Sequence, residues 1–66
     1  MNTSDFINRI DQILKFHDLS ASVFADTIGV QRSSISHLLA GRNKPSLEFV
    51  LKVVASFPEV DLYWLL

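Results

Sequence analysis

Between Gln31 and Ser46 the chain gathers Arg32, Ser33, Ser34, Ser36, His37, Arg42, Asn43 and Lys44, side chains suited to hydrogen bonding and to holding an anion. A guanidinium can donate two parallel hydrogen bonds to O6 and N7 of a guanine, a pair worth about 1–3 kcal/mol of base discrimination. Serine hydroxyls and the His37 imidazole are short polar groups that reach base edges or phosphates. On a helical wheel Arg32, Ser33, Ser36 and His37 share a face opposite Ile35, Leu38 and Leu39, so they are the exposed side whatever the function. Charge follows the same partition. The stretch from Thr27 to Leu47 carries Arg32, Arg42 and Lys44 and no acidic residue, while the rest of the chain is clearly acidic. The total of −1, with a pI near 6.0, lacks the basic excess of a strong nucleic-acid binder. Distribution matters more than the sum, and one segment is positive.

Other chemistries fit poorly. His37 lies about one helical turn from Ser33 and Ser34, but a nucleophile and base also need an orienting acid and an oxyanion site, and the segment contains no acid. The chain is therefore not expected to be an enzyme. It has no cysteine, and His17 and His37 lack ligand spacing, which argues against a metal site. Nothing indicates a cofactor or a small-molecule ligand. The N-terminus lacks the positive region and apolar run of a signal peptide. No apolar run approaches the ~20 residues needed to span a bilayer. These features imply a soluble cytoplasmic chain with no membrane partner.

The elements that must position these groups all read as helices. Sixty-six residues, 48% of them hydrophobic, make at most one domain with a packed core. Thr3 or Ser4 is placed to cap a first helix from about Asp5 to His17, with Phe6, Ile7, Ile10, Ile13 and Leu14 on its apolar face. His17, at its end, suits the helix dipole. Ser20 caps a second helix to about Ile28, and a third runs from Gln31 or Arg32 to a stop at Gly41. Small Ala25 lets the second and third helices approach, and Gly29 supplies the positive φ that their turn requires. Ser46 caps a fourth helix to about Ser56 whose apolar residues cover half its circumference or more, so it is expected at the centre of the core. Asp61 caps a short fifth helix, Leu62 to Leu66. This apolar end, LYWLL, has no polar tail, which points to a partner subunit or to a longer chain of which this is the N-terminal part.

Small Ala25, Gly29 four residues on, and apolar Val30, Ile35 and Leu38 resemble the helix-turn-helix of the lambda-repressor and Cro type, the xenobiotic-response-element family. The similarity runs over nearly the whole chain. It implies an all-α, five-helix DNA-binding domain with the motif at about 21–40. By the same resemblance the partner is a double-stranded, pseudo-palindromic operator bound by a homodimer, and the role is that of a repressor on a prokaryotic nucleoid or phage genome. Carried over by position, Arg32, Ser33, Ser36 and His37 would read bases. Ser20, Ser22, Gln31, Ser34, Arg42, Asn43, Lys44 and Ser46 would contact phosphates. The chain departs from the family at Ala21, where many members place a phosphate-holding glutamine, and Ser20 and Ser22 are the neighbours available to replace it. Phe57, Tyr63, Leu65 and Leu66 are the expected dimer interface. The alternative is a protein-binding module, antitoxin-like or an anti-repressor partner, that works through the apolar C-terminus.

Overall fold

A computed structural model describes residues 3–66. In chain order the helices are α1 (Thr3–His17), α2 (Ala21–Ile28), α3 (Arg32–Leu39), α4 (Leu47–Ser56) and α5 (Leu62–Leu65), with no strand among the described residues. Local chemistry sets most of their limits. Ser20 and Ser46 cap α2 and α4, each hydroxyl accepting the backbone N–H three residues on, from Val23 at 3.2 Å and from Phe49 at 3.1 Å. Asp61 caps α5 by accepting from the Tyr63 N–H at 2.9 Å. Gly29 and Gly41 take φ of 78° and 76°, the left-handed conformation that ends a helix most cheaply in a residue without a Cβ. The start of α1 differs from expectation. Thr3 and Ser4 are already helical, so neither is the flanking cap of a helix beginning at Asp5, and the preceding positions lie outside the described residues. Its other end turns on Asp18 at φ 54°, with the Leu19 N–H donating to the Leu14 carbonyl at 2.8 Å. Aspartate is among the few residues with a Cβ that tolerate this conformation.

The core draws on every helix. Phe6, Ile10, Ile13 and Leu14 of α1 meet Phe24, Ala25 and Ile28 of α2, Ile35 and Leu38 of α3, Val50 and Val53 of α4, then Phe57 and Leu65. The Phe24 and Phe57 rings stack with centroids 5.6 Å apart, and Phe6 meets Phe49 edge-on at 6.1 Å. No polar side chain is buried among the described residues. α4 is not the centre of the core. Only Val50 and Val53 are buried on it, Leu51 is exposed, and Leu47 is 70% exposed. A chain this short has too few elements to enclose one helix on all sides, so α4 packs by a single face. His17 does more than suit a dipole: its Nε2 lies 2.6 Å from Glu59 Oε1 and its ring packs on Phe57, joining the end of α1 to the α4–α5 link.

Candidate nucleic-acid interface

The placement of α3 begins with the end of α2. The Ala25 carbonyl accepts from both the Gly29 and Val30 N–H groups at 3.0 Å, which closes α2 and turns the chain within a few residues. Ala25 itself is fully buried, as close contact between α2 and α3 requires. Val30 packs against the core and Ile35 and Leu38 enter it, which fixes the rotation of α3. Arg32, Ser33, Ser36 and His37 are consequently all exposed. Gln31 occupies the flanking position at φ −68°, ψ 143° without capping the helix through its side chain, so its amide stays available.

Several expected phosphate-contacting residues come together at the junction of α3 and α4. Gln31, Ser34 and Ser46 line one open recess with Glu48 and Lys52. Ser34 and Ser46 also line a neighbouring recess of about 190 Å³ with Asn43, Lys44 and Pro45. Arg42 is exposed, and its backbone N–H donates to the His37 carbonyl at 2.9 Å, which ties the loop to the end of α3. Arg42 and Lys44 have no ion-pair partner among the described residues. Ser20 and Ser22 are exposed at the start of α2 and line neither recess. The hydroxyl oxygens of Ser20 and Ser46 are engaged as caps, which leaves each O–H to donate elsewhere.

The acid-free stretch is less isolated in space than in sequence. Asp26, one residue before it, accepts from Arg32 Nε at 3.2 Å and from Nη2 at 2.7 Å. This hydrogen bonding, with the arginine's charge, holds the Asp26 carboxyl below its ordinary range and raises the Arg32 guanidinium. Glu48, one residue after the stretch, faces the first recess and pairs with Lys52 at 3.3 Å. Asp26 is the residue at this surface that sequence reading does not single out. Its only signal is an acid six positions before an arginine across a glycine turn, a spacing with no fixed meaning on a continuous helix.

The expected dimer residues divide. Tyr63 and Leu66 are exposed, but Leu65 is fully buried and Phe57 is 7% exposed. Phe57 is engaged by Phe24 and His17, and Leu65 is the residue by which so short a helix anchors itself to the core. Phe57 and Leu65 are therefore core residues and not surface open to a partner. Trp64 and Phe16 are exposed on the same side, along an apolar groove between α1 and α5 of about 470 Å³.

Two short helices crossing at a glycine turn, the second with its polar side outward, define a helix-turn-helix protein. A family profile described as helix-turn-helix matches residues 10–65, and the chain belongs to that family, in its lambda-repressor, Cro and xenobiotic-response-element branch. Neither the curated proteins nor the solved structures yield a match. Membership points to DNA as the partner and to transcriptional regulation, in a family that is typically non-enzymatic. No helix among the described residues is long and apolar enough to cross a membrane.

Proposed function

We propose that the chain is a sequence-specific repressor that binds a pseudo-palindromic operator as a homodimer, with α3 in the major groove. The observation that carries this is the outward face of α3, whose Arg32, Ser33, Ser36 and His37 are all exposed beside the unpaired cations of the next loop. In this reading those four side chains read base edges. Arg42, Asn43 and Lys44, with Gln31, Ser34 and Ser46 around the α3–α4 recesses and Ser20 and Ser22 at the start of α2, position the backbone. The 66 residues act as one domain, in the cytoplasm, on a nucleoid or phage genome. Dimerisation uses Tyr63 and Leu66 and sets two copies of α3 about 34–36 Å apart. It also doubles a basic surface too small to bind well alone.

Selection from a randomised duplex pool tests this, run at about 50 mM and about 150 mM salt, a range over which phosphate-driven binding falls steeply. The expected result is an enriched two-fold motif. Arg32→Ala then relaxes one position per half-site by about 1–3 kcal/mol. Equal loss on every sequence removes Arg32 as a base reader. No enrichment at either salt favours the second reading, a protein-binding module, which rests on the exposed apolar groove between α1 and α5.

A further inference from the structure

Among the described residues the Arg32–Asp26 pair is the one ion pair with two-point geometry, and it crosses the turn between α2 and α3. Lys15–Asp11 and Lys52–Glu48 are single contacts one turn apart on one helix. Burial does not force the contact, since the Arg32 and Asp26 side chains are 65% and 55% exposed. Exposed pairs add little to stability, so its consequence lies in where it holds the guanidinium.

We infer that Asp26 is a specificity-determining positioning residue that restricts Arg32 to reading guanine. This rests on the DNA-reading role proposed for α3. A guanidinium is planar, with its N–H donors in a fixed fork. Asp26 takes the edge formed by Nε–H and one Nη2–H. The edge shared by Nη1 and the second Nη2–H stays open, and its two parallel donors match guanine N7 and O6. The carboxylate has a second effect. Its negative charge beside the guanidinium disfavours phosphates as partners, so the one arginine on α3 is turned from a phosphate seeker into a base reader. Arg42 and Lys44, with no carboxylate against them, keep the phosphate role. Asp26, held below the ordinary carboxylate range by its hydrogen bonds to Arg32, is ionised near neutral pH.

The test is duplex selection with the wild-type chain, Arg32→Ala, Asp26→Asn and Asp26→Glu, with salt-dependent affinities and urea midpoints measured alongside. The position at which Arg32→Ala loses preference identifies the base that Arg32 reads. The wild type is expected to prefer guanine there by about tenfold or more. Asp26→Asn reduces that preference to roughly twofold, while affinity for scrambled duplex rises and the log–log salt slope steepens by about one as the released arginine takes a phosphate. Asp26→Glu, which keeps both oxygens, retains most of the preference. A folding defect would lower all affinities together and would appear in the urea midpoint. Full guanine preference in Asp26→Asn, or a base other than guanine at that position, overturns the inference while leaving the DNA-binding reading intact. A wild-type chain that enriches nothing overturns both.

Discussion

The outward sides of α3 and α5 are both open to solvent, and they are open for opposite reasons. On α3 the exposed groups are Arg32, Ser33, Ser36 and His37, which water solvates well. Around α5 they are Tyr63, 88% exposed, with Trp64, Leu66 and the 81%-exposed Phe16 across the groove. Leaving the first surface bare has little free-energy cost, so its residues can be chosen for what they bind. The second keeps large apolar side chains in water, where covering them would be favourable. α3 carries its polar side chains on a fixed core, while α5 spends Leu65 on that core and leaves Tyr63 and Trp64 at the surface. In the proposed function the first surface recognises DNA and the second assembles the dimer.

Phe24 is where the two sides meet, since it belongs to α2 and stacks on Phe57 near the α5 end. Phe24→Ala is expected to cost about 3–5 kcal/mol. That is a large share of the about 5–15 kcal/mol typical of whole domains. Its urea midpoint should collapse, with DNA binding and self-association lost together. Retention of either activity at full strength would show that one side does not depend on the shared core. Tyr63→Glu separates what Phe24→Ala joins. The urea midpoint should hold, sedimentation should show the monomer, and affinity for a two-half-site duplex should fall about 10²-fold as the linked second contact is lost. Affinity for a single half-site should stay as it was. Unchanged two-half-site affinity would mean that the α5 side assembles nothing on DNA.

How much of this was legible in the sequence depends on the range of the interaction. Ser20, Ser46, Asp61, Gly29 and Gly41 act within a few residues of themselves, so α2 to α5 fall where the sequence puts them. The polar side of α3 is legible for a related reason, because Ile35 and Leu38 fix its rotation unaided. Distance in sequence hides the rest. A wheel counts the apolar residues of α4 without knowing how many neighbours exist to cover them, so Leu47 looks as buried as Val50. Phe57, just past α4, and Leu65, on the short α5, read as partner-facing because nothing local tells a core-facing apolar residue from an exposed one there. Asp26 is invisible until the turn brings α2 beside Arg32.

Lys44 gives the smallest expected change and the sharpest test of how the polar side divides its work. It is exposed, lies next to Ser34 and Asn43 around the α3–α4 recess, and has no ion-pair partner among the described residues. Lys44→Ala removes no core contact, so stability should stay within about 0.5 kcal/mol of wild type. A lysine that meets a phosphate contributes alike to every sequence, and its loss should flatten the log–log salt slope by about one while leaving the selected motif unchanged. Arg32→Ala should do the reverse, changing the motif more than the slope. If Lys44→Ala instead weakens binding only to the selected motif, the lysine reads a base. The boundary between reading and positioning would then lie inside the loop and not at the end of α3.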